Sequence, residues 1–357
     1  MNTRGIIAGI AFMIIMCFSN ALASSGITVS ITDATITPMS DGKAVIIKHH
    51  YGEHYLDAYL VQGTEIEKSA QFEWAPEDFI TIPTASAFPE FLVSEPEKGT
   101  LGLYAWKDDG LATLREWPND ASWLVKPEGI LLTHGHRNQG SLQEEYEFVD
   151  HSGETLLMMQ APLSDWGVRD IAWDAEGWLL LCVGNGGIGK GIRRVMRSGE
   201  TAWEYEMRES ALCDGVFSDG QGGAWISYSK EYAGDTILLH INADGNADHR
   251  YSLSGERRVK YLYCSKTYED GTVKLFGTSV AASKGVYDVF ALSFDKDGDI
   301  TQIDVRAFNE RKDYAISLVM DASEEVYVCS QLLEGYPPML VPFSELSPRN
   351  EHGLVLQ

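Results

Sequence analysis

The chain has 357 residues, and its 52 acidic against 28 basic side chains give it a formal net charge of −24. A negative charge of this size repels nucleic acid and anionic lipid, so neither is an expected partner. Beyond a short apolar stretch at the N-terminus, no apolar run is long enough to span a bilayer, which predicts a protein without a membrane span.

The first 23 residues have the pattern of a secretory signal peptide. Arg4 supplies a positive charge, residues 6–18 form an apolar run, and Ala21-Leu22-Ala23 is a small-x-small cleavage site. The sequence therefore predicts a signal peptide over residues 1–23, a mature chain over residues 24–357, and a secreted or periplasmic location.

A turn containing glycine recurs along the rest of the chain, 43 to 53 residues apart. The six glycines are Gly63, Gly110, Gly153, Gly199, Gly245 and Gly298. In the fifth unit, GVFSD, AWISY, TILLHI and ADHRYSL read as four strands bounded by turn residues. A period of roughly 40–50 residues with four strands per unit is typical of propeller blades. We therefore predict an all-β fold, a single-domain seven-bladed β-propeller of four-stranded antiparallel blades, with each glycine in the hairpin between a blade's third and fourth strands.

The ring of blades must close, and two segments could complete the last blade. The run ITVSIT at residues 27–32 precedes the first strand of the first unit, and the last unit has no clear fourth strand after Ser344. Pairing these segments would remove an exposed sheet edge. We predict that the N-terminal strand closes the ring, and the terminal GLVLQ is the alternative.

The segments SDGQGGAWISY, WDAEGWLLL and FDKDGDI resemble repeats of exported bacterial propellers related to the NHL and two-component-sensor families. The resemblance covers mainly the fourth to sixth units. It implies the propeller fold and identifies no catalytic residue. FDKDGDI also lies in a stretch similar to a calcium loop, but its glycine comes one position too early, so we interpret it as a hairpin.

Histidines are concentrated in two predicted loops that join second to third strands. His49, His50 and His54 fall in the first unit, and His134 and His136, followed by Arg137, fall in the third. Histidine serves as a general acid or base near neutral pH and as a metal ligand. We predict His134, His136 and Arg137 as candidate catalytic residues and the other three as ligand-binding residues. The alternative is that exposed loops tolerate histidine, and no residue is assigned as a metal ligand.

Basic and aromatic residues are predicted in the connections from one blade to the next, on the same face as these histidines. The ligand-binding candidates among them are Trp117, Trp166, Arg169, Arg257, Arg258 and Arg311. Guanidinium groups recognise carboxylate, sulfate or phosphate, and exposed tryptophan stacks on sugars or peptide side chains. The alternatives are pairing of the arginines with neighbouring acids and packing of the tryptophans between blades.

Four cysteines follow the signal peptide, all in apolar strand-like runs typical of buried free thiols. One disulfide, between Cys182 and Cys213, is conceivable.

Two functions remain open at this stage. The first is an exported propeller that binds a glycan, peptide or protein, with an anionic glycan or a protein as partner. The second is a polysaccharide lyase or hydrolase acting on an acidic glycan, in which Arg137 neutralises a carboxylate and His134 or His136 takes a proton. No cofactor can be assigned.

Overall fold

A computed structural model describes residues 34–38, 43–50, 55–62, 65–73, 80–82, 90–95, 99–107, 110–118, 122–126, 129–138, 141–160, 167–174, 176–183, 189–207, 211–229, 236–254, 257–281, 286–307, 314–320, 325–332, 339–348 and 355–356. The predicted signal peptide and the predicted closing strand at residues 27–32 lie outside these ranges.

The elements, in chain order, are β1 (Ala34–Pro38), β2 (Lys43–His50), β3 (Tyr55–Gln62), β4 (Glu65–Glu73), β5 (Ile80–Ile82), β6 (Glu90–Glu95), β7 (Thr100–Lys107), β8 (Gly110–Pro118), β9 (Ser122–Lys126), β10 (Gly129–Asn138), β11 (Ser141–Val149), β12 (Thr155–Gln160), β13 (Gly167–Trp173), β14 (Gly177–Val183), β15 (Gly189–Met196), β16 (Thr201–Glu206), β17 (Leu212–Ser218), β18 (Ala224–Ser229), β19 (Thr236–Ile241), β20 (Ala247–Ser254), β21 (Arg257–Thr267), β22 (Val273–Ala281), β23 (Val286–Phe294), β24 (Ile300–Ala307), β25 (Tyr314–Met320), β26 (Val326–Leu332), β27 (Met339–Pro342), a 3₁₀ helix (Phe343–Glu345), β28 (Ser347–Pro348) and β29 (Val355–Leu356).

Within the described ranges these strands form seven antiparallel sheets, and there is no α-helix. Four sheets take four consecutive strands each from β1 to β16, and the last sheet has the three strands β25, β26 and β27. The sheets β17–β20 and β21–β24 each gain a short fifth strand at the edge, β29 and β28 respectively. The all-β class and the repeated four-stranded antiparallel sheets are thus confirmed.

Four of the predicted hairpin glycines lie in turns between third and fourth strands. Gly153, Gly199, Gly245 and Gly298 have φ values of 84°, 86°, 80° and 87°, which a side chain would strain. Gly110 is the first residue of β8, and Gly63 lies outside the described residues. In the FDKDGDI turn the Asp295 carboxylate accepts the backbone N–H groups of Asp297 and Asp299, so this segment is a hairpin, as predicted.

The chain divides into two compact units. The first comprises Met1–Asn119 and Asp313–Leu346, and the second comprises Asp120–Lys312 and Ser347–Gln357. In the first unit β1 contacts β5 of the next sheet and also β25 and β26 of the last sheet. Sheets from the two ends of the chain therefore pack together within this unit.

In the second unit the first strands of successive sheets contact one another in the order β9, β13, β17 and β21. Apolar side chains fill the space between the sheets, because strands such as β14 and β18 are buried on both faces. Phe148 of β11 stacks on Trp178 of β14 at 4.3 Å between ring centroids, and Trp225 of β18 packs on Phe294 of β23 at 4.1 Å. These contacts pack the sheet β9–β12 against β13–β16 and the sheet β17–β20 against β21–β24.

The C-terminal residues pair within the second unit. β28 pairs with β24, and β29 pairs with β20 through Leu253 opposite Leu356. The alternative in which GLVLQ completes the last sheet is therefore wrong. The physical reason is that β20 offers an unpaired edge that the tail covers. No helix among the described residues is long and apolar enough to cross a membrane.

The disulfide between Cys182 and Cys213 is also wrong, because Cys213 carries a free thiol. Its Sγ lies 3.5 Å from the Met207 Sδ. Burial and the neighbouring Asp214 charge raise the pKa of the Cys213 thiol to about 12. The Arg169 charge acts in the opposite direction but has the smaller effect. The thiol therefore stays protonated and unreactive at neutral pH.

Candidate functional site

Most of the predicted site residues lie in strands, which corrects their placement in connecting loops. His49 and His50 end β2, His134, His136 and Arg137 end β10, and Arg257 and Arg258 begin β21. The strands are longer than predicted because each end keeps a partner: His136 lies opposite Gln143 and Arg257 opposite Ala281. His54, Trp166 and Arg311 lie outside the described residues.

His134 is part of a buried polar group within its own sheet. Its Nε2 lies 3.0 Å from Glu147 Oε2, and Thr155 Oγ1 donates to Glu147 Oε1 at 2.5 Å. The His134 side chain is 12% exposed and that of Glu147 is 3% exposed. A buried carboxylate needs such partners, so this histidine has a structural role that accounts for its position.

Trp117 lies in β8 rather than in a connection between sheets, and it is buried. It pairs opposite Leu101, and the Arg115 guanidinium lies 4.9 Å from its ring centroid. Because the Trp117 ring is buried, little of it can stack on a ligand. Its position fits the alternative in which this tryptophan packs in the protein interior.

Arg169 and Asp214 occupy equivalent β-bulges in the first strands of neighbouring sheets. In β13 the pairing jumps from Val168 to Asp170, and in β17 it jumps from Cys213 to Gly215. Arg169 and Asp214 are the extra residues. Bulges redirect a side chain out of the regular alternation and recur beside functional sites. β21 has the same irregularity between Leu262 and Cys264, so the feature repeats across three sheets.

Asp170 connects the first strands of three successive sheets and thereby stabilises these bulges. Its Oδ1 lies 2.6 Å from Lys126 Nζ of β9, and its Oδ2 accepts the backbone N–H of Val216 in β17 at 3.0 Å. Arg169, the next residue, is exposed. Within the described part of the chain its guanidinium makes no hydrogen bond or ion pair, and it acts on Asp214 and Cys213 through space. The arrangement is a hydrogen-bonded support beside an exposed cation.

The pKa of the Asp214 carboxyl is unusually high for an aspartate. Burial raises its pKa from an ordinary 3.8 to about 6, although the Arg169 charge lowers it. Carboxyls with strongly perturbed pKa values are concentrated at functional sites. We call the group formed by Lys126, Arg169, Asp170 and Asp214 the bulge site.

We expect Asp214→Asn to stabilise the protein at neutral pH. A carboxyl whose folded pKa is raised makes the folded state lose stability as pH rises from 3.8 through about 6. The neutral amide removes that loss, so the free energy of unfolding should rise by about 1 kcal/mol at pH 7.5, after allowance for solvent screening, and stay unchanged at pH 3.5. Urea unfolding at both pH values measures this. Asp244→Asn, in an exposed turn, is the control, and an equal gain at pH 3.5 would contradict the burial of Asp214.

A second polar group in the same unit was missed by the sequence analysis. His240, Asp248 and His249 present nitrogen and carboxylate atoms that lie within 4.8 Å of one another, close enough to hold a metal ion. His240 and His249 face each other across β19 and β20.

The chain matches no protein-family model and no curated protein. Among solved structures it is similar to the acylaminoacyl peptidase of Pyrococcus horikoshii, with 12% identity and a TM-score of 0.55, over 91% of this chain and 54% of that one. The S. cerevisiae core factor is similar at 9% identity and a TM-score of 0.50, over 95% and 64% of the two chains. Streptogramin B lyase is similar at 14% identity and a TM-score of 0.47, over 89% and 96%.

At these identities the likeness shows the fold alone, which is one of β-propeller-like repeated sheets. This chain spans about half the length of the peptidase chain.

Proposed function

We propose that this protein is an exported, single-domain β-propeller that binds a carboxylate-bearing ligand at the bulge site. The exposed Arg169 guanidinium beside the half-buried Asp214 carboxyl is the observation that carries this proposal. Export rests on the signal pattern of residues 1–23, which gives a secreted or periplasmic location.

The proposal of seven blades closed into a ring is supported by two features of the sheets. Within the first unit the last sheet packs on the first, through contacts of β1 with β25 and β26. That last sheet has three strands among the described residues. Residues 27–32 alternate apolar and hydroxyl side chains and are rich in β-branched residues, so they would supply its fourth strand and cover its edge.

The ligand class follows from the charges at the bulge site. A guanidinium with unused donors binds a carboxylate through two parallel hydrogen bonds. Lys126 is already occupied by Asp170, so Arg169 is the cation that a ligand would meet. A protonated Asp214 could donate a further hydrogen bond to the ligand, whereas an ionised Asp214 would compete with it for Arg169. An acidic oligosaccharide and an acidic peptide are the two sources of such a carboxylate.

Binding of a carboxylate ligand should weaken as pH rises through about 6. Below this value Asp214 is neutral, and above it the ionised carboxylate repels the ligand and attracts Arg169. We expect roughly a tenfold loss of affinity between pH 5.0 and 7.5, since charge-assisted hydrogen bonds contribute about 1.5–3 kcal/mol. Calorimetric titration with uronate oligosaccharides and with glutamate-rich peptides measures this and separates the two sources.

Asp214→Asn is the matched variant for that titration, because it keeps the shape of the side chain and removes its ionisation. Its affinity should be the same at pH 5.0 and 7.5. A wild-type affinity that does not change with pH, or a variant that keeps the wild-type pH dependence, would overturn the role of Asp214. In the lyase or hydrolase alternative His134 is less suited to take a proton, because its Nε2 is held by Glu147.

A further inference from the structure

The group His240, Asp248 and His249 lies on β19 and β20 and shares no residue with the bulge site. His240 Nδ1 lies 2.7 Å from Asp248 Oδ1, and His249 Nδ1 lies 3.0 Å from the same oxygen. Two imidazole nitrogens and one carboxylate oxygen thus converge on one point.

A β-bulge produces this convergence. Ile241 pairs with Ala247 and His240 pairs with His249, so Asp248 is the extra residue. On a regular strand Asp248 and His249 would point to opposite faces. The bulge brings the Asp248 carboxylate to the same side as both imidazoles, which a hairpin without it would not do.

Carboxylates also flank the remaining nitrogen of each histidine. His240 Nε2 lies 3.1 Å from Asp219 Oδ2, and His249 Nε2 lies 3.8 Å from Asp299 Oδ1. Histidines that bind metals through one nitrogen almost always donate the other N–H to such a group, which fixes the ring and its tautomer. Asp219 is within hydrogen-bond distance of His240, whereas Asp299 is too far from His249 for a hydrogen bond. Asp219 is itself held by the backbone N–H groups of Gln221 and Gly223, so its position is fixed.

From this geometry we propose that His240 Nδ1, His249 Nδ1 and Asp248 Oδ1 bind a divalent transition-metal ion of the zinc class. Two imidazoles and a carboxylate with a position left for water are a recurrent zinc donor set. Ligands about 2.0–2.2 Å from a tetrahedral zinc ion lie about 3.3 Å apart, so the two nitrogen–oxygen separations of 2.7 and 3.0 Å need to widen by about 0.6 and 0.3 Å.

The site is accessible to an ion from solvent. The Asp248 and His249 side chains are 33% and 28% exposed, whereas that of His240 is 8% exposed. Asp248 and His249 also line a cavity of about 280 Å³ with Tyr205, Tyr228 and Arg250. His240 is anchored against the Trp225 ring at 4.6 Å between centroids, so one ligand is rigid and two can adjust.

The test is a zinc titration of the tag-free, chelator-treated full-length protein in competition with a chromophoric chelator. We expect one zinc ion per chain. His249→Ala should lower the affinity more than about 100-fold. Asp219→Asn should lower it by roughly 10–100-fold, which is typical when the hydrogen-bond partner of a metal ligand is changed. Because His249 is partly exposed, its variant should fold, which circular dichroism verifies.

His134→Gln is the control, since His134 lies in a different sheet, where its Nε2 contacts Glu147. It should leave the zinc affinity unchanged. Cobalt bound in place of zinc should give the visible absorption of a tetrahedral site in wild type and lose it in Asp248→Asn. Absence of zinc binding, or equal affinity in wild type and a folded His249→Ala, would overturn the proposal.

Discussion

Replacing Asp219 by alanine should lower the free energy of unfolding by about 3 kcal/mol or more, because it leaves buried donors without acceptors. Asp219 Oδ1 accepts the backbone N–H groups of Gln221 and Gly223 at 2.7 and 2.8 Å. Its Oδ2 is a partner of the buried His240 at 3.1 Å. The substitution therefore disturbs the turn between β17 and β18 together with the adjoining strand β19. Urea unfolding followed by tryptophan fluorescence measures the change.

Asp295→Ala is the matched control for this prediction. Asp295 accepts two backbone N–H groups in the turn between β23 and β24, in the same pattern as Asp219, but those contacts are exposed. Water can replace the lost acceptor there, so the loss should stay below about 1 kcal/mol. Equal losses in the two variants would show that burial of Asp219 does not determine its contribution.

Replacing Arg169 by alanine should lower the affinity for a carboxylate ligand by about 10- to 150-fold, the equivalent of a charge-assisted hydrogen bond of 1.5–3 kcal/mol. Arg169 is exposed at its bulge, so the substitution should leave the unfolding midpoint nearly unchanged. Calorimetry at pH 5.0 gives the affinity. Arg193→Ala is the control, since Arg193 of β15 is paired with Glu204 of β16, and it should bind like wild type. A similar loss in both variants would indicate a general effect of charge.

The repeat and its turns could be predicted because they depend on local chemistry. A glycine at positive φ and an apolar run bounded by turn residues are visible in the sequence, and Gly245 and Gly298 lie where this chemistry places them. The ends of the strands could not be predicted. The polar stretch around His134 and His136 looks like a loop, yet β10 continues there because β11 supplies pairing partners and Glu147 supplies an acceptor.

The candidate site was predicted only in part. Arg169 was identified from its position before a strand, but the residue that makes its environment unusual is Asp214, whose pKa is raised by tertiary burial. The grouping of His240 with Asp248 and His249 depends on a single extra residue in one hairpin. On a regular strand Asp248 and His249 would point to opposite faces, so the sequence pattern alone predicts that their side chains lie apart.

The most direct test of the bulge site is to observe the Arg169 side chain while a ligand binds. In an ¹⁵N-labelled sample, the Arg169 Nε resonance can be assigned from its loss in Arg169→Lys. Addition of the best uronate oligosaccharide or acidic peptide should shift this resonance in a saturable manner at pH 5.0, and the Arg193 resonance should stay in place. Saturable binding that leaves the Arg169 resonance unshifted would contradict the account, since the ligand would then occupy another part of the protein.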